Sequence, residues 1–171
     1  MRRIAIISAL IIFSALTVMG QRFAYIDSDY IMDNIPEYKA AEMEIERISI
    51  EWQNELEEMF GEIESLFRAY QAESPMLPEE IRIQREETIM NKEKAAKDLQ
   101  MKRFGRNGEL FQKRQELVKP IQDNIYEAVQ EIATRGNYAV IFDKTGGLTM
   151  IYTDVRYDLS DEVLQRMGYR N

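Results

Sequence analysis

From Tyr38 to Tyr70 the apolar residues Tyr38, Ala41, Ile45, Ile48, Trp52, Leu56, Met59, Ile63, Leu66 and Tyr70 follow at steps of 3, 4, 3, 4, 4, 3, 4, 3 and 4. Steps of three and four place side chains on one face of an α-helix. The pattern therefore predicts one helix of about nine turns, where compact globular helices average about three. The repeated step of four at Ile48-Trp52-Leu56 is a stutter, which locally unwinds a supercoil.

Glu73-Ser74-Pro75-Met76-Leu77-Pro78 ends this arm, because two prolines so close together forbid a continuous helix. A second arm is predicted from about Glu79 to Arg135. Ile83, Met90, Phe104, Phe111, Val118, Ile125 and Ile132 form a seven-residue row broken by Lys97, widened on one side by Ile89, Ala96, Leu110 and Leu117. Such a row is coiled-coil-like. Gly105 and Gly108 disfavour helix within it, and Pro120 is expected to kink it.

The flanks change period. Arg22 to Ile26 alternates and reads as a short strand; Tyr138 to Phe142 reads as another, followed by a Lys144-Thr145-Gly146-Gly147 turn and a third strand, Leu148 to Thr153, in a hairpin. Asp27-Ser28-Asp29 is able to cap a short helix, Tyr30 to Ile35. Ser160 reads as the N-cap of a last short helix ended by Gly168. Three short strands leave exposed edges that are usually covered or paired. The expected organisation is a helical hairpin arm over 37–135 with its turn at 74–78, and a β-rich oligomerisation body from 21–36 and 136–171. Phe23, Tyr25, Ile26, Val140, Phe142 and Ile151 are the apolar candidates for that body.

Charge supports the hairpin. Residues 37–73 carry 11 acids and 3 bases, and residues 82–119 carry 11 bases and 6 acids. Folding back at the prolines sets an acidic arm beside a basic one, which favours this pairing over like with like.

The first twenty residues bear on the compartment. Arg2 and Arg3 precede an apolar run from Ile4 to Met19, and Val18-Met19-Gly20 offers small residues before Gln21. This is the layout of a secretory signal peptide cleaved near Gly20-Gln21, and the run falls short of the roughly 20 residues of a membrane-spanning helix. Without residues 1–20 the chain has 151 residues and a net charge of −10. It has neither cysteine nor histidine. That removes disulfides, lipidation through cysteine, Ser-His-Asp triads, Cys nucleophiles and ordinary zinc sites. No glycine-rich phosphate loop appears either. The expectation is a protein that is not an enzyme, with no cofactor, no metal and no nucleic-acid partner.

A further set of segments is read together: Phe23-Ala24-Tyr25-Ile26-Asp27, the charged helical hairpin, and Leu117-Val118-Lys119-Pro120-Ile121 leading to Ile125, Ala128, Val129 and Ile132. Gly136-Asn137-Tyr138, Val140-Ile141-Phe142-Asp143, Asp158-Leu159-Ser160 and Val163-Leu164 complete them. In their order and spacing the chain resembles the Skp/OmpH family of periplasmic chaperones over nearly its whole mature length. The resemblance implies a mainly α fold with a small β body: a jellyfish-like homotrimer whose three hairpin arms enclose a cavity. It implies a periplasmic, ATP-independent holdase for unfolded outer-membrane β-barrel proteins, with the outer-membrane insertion machinery as a further partner. The chain departs from the family's best-known, strongly basic member in its sequence pI of about 4.8. That departure puts contact with acidic lipopolysaccharide or membrane surfaces in question, and no lipid-binding residues carry over. Within this reading Met43, Ile50, Phe60, Phe67, Met90, Met101, Phe104 and Phe111 are the candidate client-binding residues, methionine being suited to varied partners. The competing reading is a structural coiled-coil scaffold or spacer of the cell envelope.

Overall fold

A computed structural model describes residues 21–147 and 149–169; the expected signal peptide and Leu148 lie outside the described residues. In chain order the elements are β1 (Arg22–Ile26), α1 (Ser28–Asp33), α2 (Pro36–Glu73), α3 (Glu79–Phe104), α4 (Glu109–Gly136), β2 (Tyr138–Asp143) and α5 (Ser160–Arg166). Short 3-10 turns occupy Ser74–Met76 and Val155–Tyr157. The chain divides into two compact units, one of residues Ile35 to Asn124 and one made of the chain up to Asn34 together with Ile125 onward.

In the first of these units α2 runs 38 residues without interruption from Pro36, where a proline fits because a first-turn N–H has no helical partner. Every residue of the predicted seam from Tyr38 to Tyr70 is buried or half-buried. The helix stops at Ser74–Met76, where Pro75 and Pro78 turn the chain into α3. Glu79 and Glu80 sit at the positive end of α3 and Lys102 and Arg103 at its negative end, each favourable to the helix dipole. Ile63, Ile89 and Ala96 form one buried cluster with Met59, Leu66 and Tyr70 against it. Ala41, Ile45 and Val118 form another, flanked by Tyr38, Leu110 and Leu117.

The second arm differs from the expectation in two ways. It is two helices, because the chain leaves the helix at Gly105 (ψ 168°) and resumes at Glu109. A Cβ on Gly105 would collide with the Met101 carbonyl, and one on Gly108 would stand 2.7 Å from the carbonyl oxygen of Arg103, so both positions need glycine. The stutter residue Trp52 faces this break: its ring meets Phe104 edge-on at 6.2 Å between centroids and lies 4.3 Å beneath the Arg103 guanidinium. The buried row of α3 is also Ile89–Ala96, while Ile83, Met90 and Phe111 of the predicted row are exposed. Lys97 interrupts the predicted row, whereas its neighbour is uncharged from Ile89 to Ala96. The expected row is buried only in its later part, at Val118, Ile125 and Ile132. Helix α4 continues through Pro120.

In the other unit β1 and β2 pair in parallel, with Phe23 beside Val140, Ala24 beside Ile141, Tyr25 beside Phe142 and Ile26 beside Asp143. The predicted hairpin partner of β2 does not form. Residues 149–153 carry no strand, and Ile151 is 97% exposed. Among the described residues the unit therefore has a two-stranded sheet plus a bridge from Tyr25 to Asp158 in place of a β-rich body. Helix α1 lies against α5, and Ile31, Ile132, Val163 and Leu164 are fully buried. Leu159, not Ser160, is the N-cap of α5. Ser160 is buried and donates its amide (2.9 Å) and hydroxyl (2.6 Å) to the Asp158 carboxylate, while its Oγ accepts the amide of Asp27. Gly168 closes the helix at φ +95°, a conformation that favours glycine.

A polar cluster locks the ends of the two strands. The Ser28 hydroxyl donates to Asp143 Oδ2 at 2.8 Å, the Thr145 amide donates to Asp143 Oδ1 at 3.1 Å, and Lys144 Nζ reaches Asp27 Oδ2 at 3.0 Å. Burial pushes the Asp143 carboxyl up, but hydrogen bonds from Ser28 and Thr145 outweigh it and hold the group below its ordinary 3.8. The Tyr30 amide, opposed by burial and helped by Lys144, does the same for Asp27. Both native carboxyls thus bind protons less readily than in the unfolded chain. Their stabilisation is complete above the ordinary pKa and disappears as pH falls through the lowered native values. Asp143→Ala is expected to cost about 1–3 kcal/mol by stranding the Ser28 and Thr145 donors. It should also flatten the acid limb of a plot of thermal midpoint against pH below about 4. An unchanged acid limb would show that this cluster does not couple the strands.

Candidate functional site

The hairpin presents three different surfaces, fixed by helical rotation. Glu73–Arg85 (2.8 Å), Glu62–Lys92 (2.8 Å) and Glu55–Arg103 (3.4 Å) join α2 to α3 with falling numbers on one helix and rising numbers on the other, so the helices are antiparallel. At about 100° per residue, these six residues all lie on the same side of the buried seam. On the other side Phe60 and Phe67 project roughly 70–90° from the seam of α2. Met90 and Met101 project roughly 110–130° from the Ile89–Ala96 row of α3, and the antiparallel arrangement brings them to the same side as the phenylalanines. Hydrogen-bonded Tyr70 and Glu86 on one flank, and Glu62–Lys92 on the other, bracket Phe67 and Met90 at one level of the hairpin. One side thus carries the three ion pairs between α2 and α3, and the opposite side carries these exposed apolar side chains, with Lys97 and Glu86 among them.

Phe60, Phe67, Met90 and Met101 are all exposed, Met90 at 63% and Met101 at 72%. Phe111, also exposed, lies about 80° from the α4 seam in the same sense as Met90. Phe104 turns the same way but is half-buried against Trp52, where it serves the hairpin's own packing. Met43 and Ile50 are exposed on a third surface, about 170–190° from the seam on the outer side of α2. Of the eight candidate residues, the structure therefore brings Phe60, Phe67, Met90, Met101 and Phe111 to one side, sets Met43 and Ile50 apart, and buries much of Phe104. Ile83 joins the apolar side, exposed and about 130° from the α3 row; its place in the same seven-residue row as Met90 was the signal for it.

The ionic seam gives the charge asymmetry of the arms a structural form. Each pair stays partly open to solvent, with Arg103 the most buried member, and contributes only about 0–1 kcal/mol. Changing Glu62 and Glu73 to lysine is expected to lower the thermal midpoint by opposing like charges. Adding Lys92→Glu and Arg85→Glu should recover most of it, with the difference shrinking at high salt. No recovery in the four-fold variant would remove electrostatics as a reason for the pairing.

The sheet unit has its own apolar surface. Phe23 stacks on Phe142 at 6.5 Å between centroids, and both border a groove of about 840 Å³ lined also by Tyr25, Met150, Tyr152 and Tyr157. Of the residues expected in the oligomerisation body, Phe23, Val140, Phe142 and Ile151 are exposed, whereas Tyr25 and Ile26 are buried within their own chain. Among the described residues no cluster of His, Cys, Asp or Glu is arranged to hold a metal ion, and no helix is long and apolar enough to cross a membrane.

The chain thus combines a long antiparallel helical hairpin that exposes apolar side chains with, joined to it in sequence, a two-stranded parallel sheet unit. A family profile for the OmpH-like outer membrane proteins matches residues 22–167. The chain belongs to this OmpH-like family, a family of chaperones. Its fold is similar to the crystal structure of a candidate outer membrane chaperone, OmpH-like, from Caulobacter crescentus CB15, with a TM-score of 0.69 at 14% identity, covering 89% of this chain and 86% of that one. No curated protein matches the chain significantly in sequence.

Proposed function

We propose that this protein is an ATP-independent holdase of the periplasm that binds unfolded outer-membrane β-barrel proteins and keeps them from aggregating before insertion. The observation that carries this reading is the one-sided exposure of Phe60, Phe67, Met90 and Met101 along the hairpin. Exposed apolar area of this kind, rimmed by charge, marks an interaction surface. Spread along two helices without a deep pocket, it suits many weak contacts with varied apolar segments, and methionine adapts to such partners. Membership of the OmpH-like family supports a chaperone role.

In this reading residues 1–20 direct export and are removed near Gly20-Gln21. The chain assembles as a homotrimer through the sheet unit, with exposed Phe23, Val140 and Phe142 meeting other copies. The hairpins hold the client and pass it to the outer-membrane insertion machinery. The deciding experiment dilutes a denaturant-unfolded outer-membrane barrel protein into buffer with and without this protein and follows light scattering in the absence of nucleotide. Suppression near one trimer per client, with a trimeric mass in solution, is the expected result. Scattering unchanged at several-fold excess would overturn the holdase reading and favour an envelope scaffold.

A further inference from the structure

The reactive sulfur of the hairpin is all thioether, because the chain contains no cysteine. Met43, Met76, Met90 and Met101 are 65%, 82%, 63% and 72% exposed, and all four fall in the hairpin unit. Met32 and Met59 are half-buried, Met59 against the Ile63–Ala96 cluster. Exposure governs which methionines an oxidant reaches first. The placement then decides what the oxidation does. Oxidising Met59 would put a polar group into the seam and open the hairpin. Met90 and Met101 project away from the seam, so oxidation there leaves the helix packing intact and alters only the exposed apolar side.

We propose that Met90 and Met101 make this surface sensitive to two-electron oxidants of the peroxide class, so that oxidation releases or refuses clients without unfolding the protein. The thioether sulfur attacks one peroxide oxygen, the O–O bond breaks as the S–O bond forms, and the other oxygen leaves as water with both peroxide protons. Sulfur is oxidised by two electrons and the peroxide reduced by two. The product sulfoxide is polar and chiral where the thioether was apolar and adaptable, and methionine sulfoxide reductases reverse it. This inference rests on the holdase reading, which supplies the client contacts that the sulfoxide would lose.

The test treats the whole protein with hydrogen peroxide and maps the oxidised residues by peptide mass spectrometry. Met43, Met76, Met90 and Met101 are expected to gain oxygen before Met32 and Met59. The same samples then enter the aggregation assay beside two variants, Met90→Leu/Met101→Leu and Met43→Leu/Met76→Leu. Oxidised native protein and oxidised Met43→Leu/Met76→Leu are expected to hold a client about tenfold more weakly than before, a change of about 1.4 kcal/mol. The Met90→Leu/Met101→Leu protein should hold the client equally before and after oxidation, whatever its own starting affinity; helical circular dichroism should be unchanged throughout, and reductase treatment should restore the native protein. Equal loss in the Met90→Leu/Met101→Leu protein, or undiminished holding by the oxidised native protein, would overturn the proposal. If even the unoxidised protein leaves the client to aggregate, the holdase reading is what fails and the switch falls with it; the oxygen map stands as a separate record of the chemistry.

Discussion

Replacing Phe60, Phe67, Met90 and Met101 together with serine is expected to leave the hairpin folded and abolish most of its suppression of barrel-protein aggregation. The fold should survive because none of the four belongs to the buried clusters around Ala41–Val118 and Ile63–Ala96. The loss of binding follows from area. Full burial of one large apolar side chain is worth about 1.5–3 kcal/mol, and a flexible client covers each only in part. Four such contacts still amount to several kcal/mol, and each 1.4 kcal/mol is a tenfold change in affinity. The apparent affinity should therefore fall on the order of a hundredfold. The companion variant Met43→Ser/Ile50→Ser removes two large apolar side chains from the outer side of α2, and its effect should be much less than half that of the four-fold variant. Equal effects from the two variants would mean that the hairpin binds without sidedness, and an unaltered four-fold variant would take the apolar side out of client binding altogether.

Much of the hairpin is legible in the sequence because its determinants are local and periodic. The steps of three and four from Tyr38 to Tyr70 identify the buried face of α2 residue by residue, and Pro75 and Pro78 mark the turn. The break at Gly105 is visible as a weakness in helix propensity. Its outcome depends on backbone approach, where Met101 and Arg103 carbonyls leave no room for a Cβ, and no periodicity reports that. The sheet was the hardest part to read. Gly146-Gly147 after a β-branched run imitates a hairpin turn, yet β2 pairs with β1 more than a hundred residues earlier. Pairing at that distance leaves no local signature. A faint one exists in retrospect: an acid and a small hydroxyl residue stand at the end of each strand, Asp27-Ser28 just after β1 and Asp143-Lys144-Thr145 from the last residue of β2, and parallel alignment brings them into mutual hydrogen bonds. The candidate side of the hairpin was half legible. Composition and spacing single out its residues, but separating Phe60 from Met43 requires knowing which way the partner helix runs and on which side the ion pairs close.

Ala96 and Lys97, adjacent in α3, are the sharpest place to test which row forms the seam. The seven-residue row through Ile83, Met90 and Phe104 passes through Lys97, and by number of large apolar residues it is the stronger pattern. The hairpin instead buries the neighbouring row, with Ala96 wholly inaccessible between Ile63 and Ile89. The small side chain lets the helices approach, and the choice removes Lys97 from the interface. Ala96→Glu would place an unpaired carboxylate in that contact and overfill it as well. Burying an uncompensated charge belongs to the few mechanisms that exceed about 4 kcal/mol. The variant is expected to lose most of the helical signal of the hairpin near room temperature or to melt far below the native protein. Ala96→Leu, which overfills without charge, should cost about 1–3 kcal/mol. Lys97→Glu, one residue on and exposed, should stay within about 0.5 kcal/mol of native. The reverse order, with Lys97→Glu the damaging change and Ala96→Glu tolerated, would put the Met90 row in the seam. Met90 and Met101 would then be core residues, and the apolar side assigned to client binding would have to be sought on Phe60 and Phe67 alone.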